Sequence, residues 1–244
     1  MTIHICAELG INHSGSLETA LKMVQAAKDA GADSVKYQKR RPRIAVPREM
    51  WDVPRETPWG LMPYIEYKER MEFSVSQYQV IDQVCKTIGI PWAVSVWDIP
   101  SLDEMLGAFP DMPYIKVPSA CLTDDDLLRA IESTGKPIIA STGMSTPDEI
   151  AHAVGILLGT RIAEWAVPPA ITICHCNSTY PCPPENLNLR CLTWLKQTYP
   201  WATLGYSGHE VGLAPSLAAA ALGAQYIERH FTLDRASWGT DQAA

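Results

Sequence analysis

The sequence predicts a single (β/α)8 barrel domain over residues 1–244, and three observations carry that assignment. First, a helical stretch, a Gly and a short apolar run recur at 30–38, 88–95, 134–141 and 222–228. That punctuation belongs to parallel βα units, where Gly closes a helix in the left-handed conformation and a strand follows at once. Second, the chain offers eight strand-like runs with seven helical runs between them, the alternation of a closed barrel. Third, polar residues gather at the C-terminal ends of those runs, the face on which such barrels carry their chemistry. The rival doubly wound sheet lacks support, because no Gly-x-Gly-x-x-Gly follows the first run.

In chain order the expected strands are 3–8, 33–38, 91–95, 113–117, 137–141, 170–176, 202–207 and 225–231. Helices are expected at 16–30, 76–88, 101–108, 123–133, 147–158, 185–198 and 212–222, so an eighth helix after the last strand is expected to be missing. The fifth of these starts with Thr146 as N-cap, Pro147 at the first helical position and Glu149 closing a capping box. The preceding Ser141-Thr142-Gly143 leaves anion binding and plain capping as equal readings of that loop. Between the second strand and the second helix, residues 39–73 greatly exceed the usual βα connection. They carry Trp51, Trp59, Tyr64 and Tyr67, and a substrate-shaping lid is expected rather than a disordered insertion, which would be poor in aromatics.

With 20 basic against 27 acidic residues and no basic run beyond Lys39-Arg40-Arg41 with Arg43, nucleic acid is excluded as a partner. No signal-like leader opens the sequence, and the most apolar stretch, 211–227, is interrupted by Pro215 and Gly223 and is too short for a bilayer. A soluble, cytoplasmic protein without membrane partners is expected. Seven cysteines without a secretory signal argue against a disulfide scaffold. Cys174-His175-Cys176 resembles a metal triplet, but on a strand His175 must point away from both cysteines.

Alternation along each strand selects the side chains that face into the barrel at its C-terminal rim. They are Glu8, Lys36, Gln38, Ser95, Lys116, Ser141, Ser178, Ser207, His209, Glu228 and His230. His209 and His230 close consecutive parallel strands, so their imidazoles should meet at one edge and share a divalent ion, with open positions for water and substrate. Glu228, on the face of His230, and Asp241 nearby shift the choice of ion toward manganese or magnesium.

The motifs Ala7-Glu8-Leu9-Gly10-Ile11-Asn12-His13-Ser14-Gly15, Val35-Lys36-Tyr37-Gln38, Ile115-Lys116-Val117-Pro118-Ser119, Ser141-Thr142-Gly143-Met144, His175-Cys176-Asn177-Ser178-Thr179-Tyr180-Pro181, Gly205-Tyr206-Ser207-Gly208-His209 and Glu228-Arg229-His230-Phe231-Thr232 resemble, in order, the sialic acid synthase family. The resemblance implies condensation of phosphoenolpyruvate with an N-acylated amino sugar such as N-acetylmannosamine. Phosphate is released and a nine-carbon 2-keto sugar acid is formed. It implies His209 and His230 as ligands of a divalent metal, manganese first, with magnesium or cobalt as alternatives. Lys36, Lys116, Ser119, Ser141, Ser178 and Ser207 would hold phosphoenolpyruvate, and Glu8 and Asp241 would face the amino sugar. Glu8 or Glu228 would move the proton, Glu228 being alternatively a support for the metal site.

This chain departs from the family pattern after the third strand, where Ser95-Val96-Trp97-Asp98 replaces Ser-Thr-Pro, and at Ser178, which is often Asn. The sequence also stops before the family's small C-terminal antifreeze-like domain. Two further readings are a Schiff-base aldolase using Lys36 or Lys116 and an inactive barrel that binds ligand without turnover. A missing last helix would leave an apolar groove between the first and seventh helices, so a homo-oligomer is expected.

Overall fold

A computed structural model describes residues 2–159 and 170–244. Eight parallel strands close a barrel: β1 (His4–Gly10), β2 (Ser34–Lys39), β5 (Trp92–Val96), β6 (Ile115–Val117), β7 (Ile138–Ser141), β8 (Ile171–Cys176), β9 (Thr203–Gly208) and β10 (Tyr226–His230). The ring closes where β1 pairs with β10 in the register Glu8↔His230. Around it lie α1 (Leu17–Asp29), α4 (Val75–Ile88), α5 (Ile99–Ala108), α6 (Asp125–Ser133), α7 (Pro147–Leu158), α8 (Arg190–Thr198) and α9 (Ala214–Ala221).

Five of these seven helices start at a side-chain cap, and α8 and α9 do not. Ser16 accepts from the Thr19 amide, Asp98 from Ser101 and Asp124 from Leu127, and complete capping boxes open α4 (Ser74 with Gln77) and α7 (Thr146 with Glu149). Buried apolar residues of the helices, such as Leu127, Leu128 and Ile131 on α6, pack on the outward faces of the strands and form the main core. The expected helix at 185–198 is shorter: a 3-10 turn, Pro184–Asn186, precedes α8, and Asn188 between them takes a positive φ of 46°. That conformation interrupts a right-handed helix and is one Asn tolerates.

The long β2–α4 connection is ordered. It contains α2 (Pro42–Ala45), a hairpin of β3 (Pro54–Thr57) and β4 (Gly60–Pro63), and α3 (Tyr64–Met71). Met62, Tyr67 and Met71 form a second small apolar cluster with Ile11 and Tyr64. Both ends of the connection are tied to the barrel. Lys39 Nζ donates to the Phe73 carbonyl at 2.8 Å, and the Arg40 guanidinium pairs with Glu72 at 2.6 Å. Gly15, with φ 71°, lets the β1–α1 loop press on α3, for a Cβ there would sit 2.4 Å from the Arg70 carbonyl oxygen.

After β10 the chain folds back across the same region and ends in α10 (Thr240–Ala243). Asn12 Nδ2 donates to the Phe231 and Asp241 carbonyls, Gln242 Nε2 donates to the Asn12 carbonyl, and Trp238 meets Tyr67 edge-on at 5.5 Å. None of the seven cysteines is in a disulfide, and all but Cys191 are buried. Among the described residues no helix is long and apolar enough to cross a membrane.

Inside the barrel, Gly205 lies opposite Cys174, and a Cβ on it would come within 2.4 Å of Cys174 Sγ and 3.0 Å of Thr172 Cγ2. Gly205→Ala is therefore expected to lower stability by about 1–3 kcal/mol through overpacking. Thermal or urea unfolding measures it, and an unchanged midpoint would show that the Cys174 thiol swings clear.

Candidate active site

At the C-terminal rim of the barrel lies a cavity of about 200 Å³. All eleven side chains that strand alternation aims inward line it, and Ser119 lines it as well. Asp241 stands just outside, with Oδ2 3.6 Å from His230 Nδ1.

The floor is built around Glu228 on β10. Lys116 Nζ donates to both its oxygens at 2.9 and 3.1 Å, Ser207 Oγ donates at 3.1 Å and the Tyr226 hydroxyl at 3.0 Å. Lys36 Nζ lies 3.8 Å from Glu228 Oε1, ion-pairs with Glu8 and donates to Ser95 Oγ at 2.6 Å. Burial by itself would raise the Glu228 carboxyl, but Lys116 and then Lys36 hold it well below the usual carboxylate range. Burial likewise opposes the charge on Lys116, and the Glu228 carboxylate outweighs it, so the ammonium is held above its ordinary value. Each Glu228 oxygen thus accepts two hydrogen bonds from within the floor itself.

Along β6, β7 and β8 the wall is made of hydroxyls. The Gly143 amide donates to Ser119 Oγ at 3.1 Å, and a Cβ on Gly143 would lie 2.5 Å from Ser178 Oγ and 2.8 Å from Ser119 Oγ. Only a glycine lets this backbone reach both hydroxyls. Ser141 Oγ is buried without a hydrogen-bond partner among the described residues, an orphan that a bound anion would satisfy. The N-terminus of α7 is less available: the Thr146 and Glu149 amides are taken by their own capping box. Capping accounts for that helix start, and the anion-competent groups of the loop are the serines before it.

Along β9, β10 and β1 the wall carries imidazoles and a carboxylate. The rings of His209 and His230 are 5.2 Å apart between centroids. A carbonyl can only accept, so His209 Nδ1, 2.5 Å from the Asn177 carbonyl oxygen, carries the proton and Nε2 keeps its lone pair. Burial lowers both imidazoles below their ordinary value, that of His230 against the opposing effect of Asp241, and keeps them neutral. Two neutral imidazoles with a carboxylate nearby suit a divalent ion that takes its remaining ligands from water and substrate. Among the described residues no group of three or more His, Cys, Asp or Glu forms a ready-made ligand set. Glu8 Oε1 accepts from Gln38 Nε2 at 3.0 Å, and Gln38 Oε1 accepts from Arg40 at 2.6 Å.

His175 points out of the barrel, with Nε2 2.6 Å from the Leu187 carbonyl oxygen, as alternation requires. Sequence reasoning missed Tyr180, whose ring stacks on His209 at 3.9 Å and meets His230 edge-on at 5.4 Å. Its position in the loop after β8 gave no periodicity from which to aim it. Trp97 and Met144 also line the cavity, and both likewise sit beyond the strand ends where alternation stops applying.

The family described as NeuB matches residues 23–244. An N-acetylneuraminate-9-phosphate synthase from Drosophila melanogaster is 36% identical over 98% of the chain and 63% of its own length. An N,N'-diacetyllegionaminic acid synthase from Campylobacter jejuni is 33% identical over 98% of the chain and 70% of its own length. Among solved structures, the N-acetylneuraminic acid synthetase of Leptospira borgpetersenii, in complex with citrate, superposes with a TM-score of 0.85 at 27% identity, covering 99% of this chain and 77% of that one. The chain thus spans just under two thirds of the length of the Drosophila relative.

The charge arrangement on the floor has a measurable consequence. Glu228→Gln leaves two buried ammonium groups without their shared carboxylate and is expected to cost about 3–5 kcal/mol of stability. Ser207→Ala, which removes one neutral hydrogen bond to the same carboxylate, is expected to cost about 1 kcal/mol or a little more. Denaturant titration of both variants checks the contrast, and equal losses would show that charge is not what holds the floor together.

Proposed function

Because the chain belongs to the NeuB family, we propose that its barrel condenses phosphoenolpyruvate with an N-acylated amino sugar and releases phosphate, giving a nine-carbon 2-keto sugar acid. The observation that carries this reading is the pair of ammoniums, Lys36 and Lys116, gathered on Glu228 beneath the hydroxyls of Ser119, Ser141, Ser178 and Ser207. A small acid bearing both a carboxylate and a phosphate needs cations and neutral donors side by side, and this half of the cavity supplies both.

In the reaction, C3 of the donor bonds to the aldehyde carbon of the acceptor and the aldehyde oxygen takes a proton. Water adds at C2, and the C2–O bond to phosphate breaks. Lys36, Lys116 and the four serines hold the donor's anionic groups, and Ser95 fixes the Lys36 ammonium. Glu8 and Gln38 line the opposite sector, with Asp241 just outside it, and these three face the acceptor. Glu8 borders the cavity and is the carboxylate assigned to proton transfer at the aldehyde oxygen; Glu228 is assigned to positioning the lysines. A divalent ion held by His209 and His230, manganese first with magnesium or cobalt as alternatives, would supply Lewis-acid polarisation of the aldehyde. Unpaired cysteines suit a reducing compartment, and we place the reaction in the cytoplasm.

A Schiff-base aldolase needs a neutral amine. Lys116 is driven toward the charged state by Glu228, so no borohydride-trapped adduct with pyruvate is expected by mass spectrometry. Finding one on Lys36 or Lys116 would replace the synthase reading by the aldolase.

The direct test is phosphate release from phosphoenolpyruvate with a panel of N-acyl amino sugars, with manganese and with chelator. Activity should require the metal, and His209→Ala should lower kcat/KM by more than the roughly 100-fold that loss of a supporting partner costs. Full turnover in chelator would sink the proposal. Stabilisation by phosphoenolpyruvate without product from any sugar would return the inactive ligand-binding barrel.

Val211, Leu213 and Leu217 are 55%, 74% and 70% exposed and form an apolar strip before and along α9, and we assign this strip to contact with a second copy of the chain. Sedimentation should therefore give a homo-oligomer that Leu213→Glu with Leu217→Glu dissociates; a monomer at high concentration would contradict it.

A further inference from the structure

Four cations of the segment from β2 through α3 are held in ion pairs. Lys39 pairs with Glu104, Arg40 with Glu72, Arg43 with Glu69 and Arg70 with Glu66. Arg55 on β3 and Lys68 on α3 have no ion-pair or hydrogen-bond partner among the described residues. Both instead lie over the same two rings: Arg55 is 5.5 Å from the Tyr64 centroid and 5.9 Å from that of Tyr67, and Lys68 is 5.2 and 5.3 Å away. Two cations are thus gathered on one aromatic shelf with no carboxylate in ion-pair contact, and Asp241 and Glu72 act on Lys68 only from farther away. Burial, and then the nearby Arg40, draws the Lys68 ammonium down to about 8, so it is a group that gains from a bound anion.

The shelf adjoins the acceptor sector. Arg55, Tyr67 and Trp238 line a crevice with Asn12 and Asp241. Asp241 in turn lies beside His230 and within 3.6 Å of the place a Gly10 Cβ would take, next to Glu8 and Gln38. An acceptor with its aldehyde end at the imidazoles and its body along Glu8, Gln38 and Asp241 would present its far end to Arg55 and Lys68. A neutral hydroxyl there would leave both cations as they are. A phosphomonoester would meet a guanidinium fork and an ammonium, the pairing such groups bind best.

We propose that Arg55 and Lys68 form the seat of a terminal phosphate on the acceptor, so that this barrel selects a phosphorylated amino sugar over its unphosphorylated counterpart. The inference rests on the synthase reading for the identity of the acceptor and adds which end of it is recognised and by what charge.

The test compares N-acetylmannosamine 6-phosphate with N-acetylmannosamine. With phosphoenolpyruvate and manganese, kcat/KM for phosphate release should favour the phosphorylated sugar by about tenfold or more. In the double variant R55Q/K68Q that ratio should fall toward one, while K68R, which keeps the charge, retains most of it. Calorimetric titration of the two sugars in chelator reads the same preference without turnover. No preference in the wild-type protein by either measurement, or a preference that survives in R55Q/K68Q, overturns the seat. Absence of phosphate release with both sugars, alongside a calorimetric preference that the double variant loses, refutes the synthase reading and leaves the phosphate seat standing.

Discussion

The buried carboxylate of Glu228, shared by Lys116 and Lys36 in the middle of the barrel, is the constraint around which the rest is arranged. Two ammonium groups cannot be taken out of water at this depth unless a fixed anion accompanies them. Once it does, Lys116 is held in its charged form and both lysine side chains are fixed in place. The strand order then does the remaining work. Hydroxyls from β6, β7 and β8 stand on one side of the floor, and the imidazoles and Glu8 from β9, β10 and β1 stand on the other. Chemically different halves meet over a single neutralised base, with no rearrangement of the fold needed to bring them together.

Much of this was legible in the sequence because two periodicities do most of the folding. The strand boundaries fall within a few residues of those expected, and four of them are marked by a Gly just past a helix: Gly31 before β2, Gly89 before β5, Gly135 before β7 and Gly223 before β10. The inward set was legible for the same reason: once a run such as Ser34–Lys39 is a strand, Lys36 and Gln38 must share a face. The limits appear where neither period applies. Tyr180, which covers His209, lies in a loop whose direction is fixed by tertiary contacts, and the Asn177 carbonyl that sets the His209 tautomer is backbone and leaves no residue signature. The β3–β4 hairpin has strands of four residues each with Pro at both outer ends, too short and too irregular to show alternation. Ser119 was found through its motif alone, because it follows β6 in a 3-10 turn rather than on the strand.

The role of Glu228 shows how packing refines what a motif suggests. A carboxylate two residues from a metal-type histidine reads equally well as an acid, a base or a support. Its surroundings separate these: Lys116, Ser207 and Tyr226 occupy both oxygens of Glu228, whereas Glu8 accepts from Gln38 and pairs with Lys36 alone. On the proposed reading, proton transfer and charge support go to different carboxylates, set apart by environment rather than by residue type.

The ordered connection between β2 and α4 leaves the barrel and returns to it at almost one point, stapled there by the Lys39 contact to the Phe73 carbonyl and by Arg40 with Glu72. Everything between those staples resembles a graft on a fixed stem. Its outward residues are free of the barrel, while those that meet Ile11, Gly15 and Trp238 are held to their places. A scaffold so divided lets the rim change its lining residues while the strand register beneath it is kept.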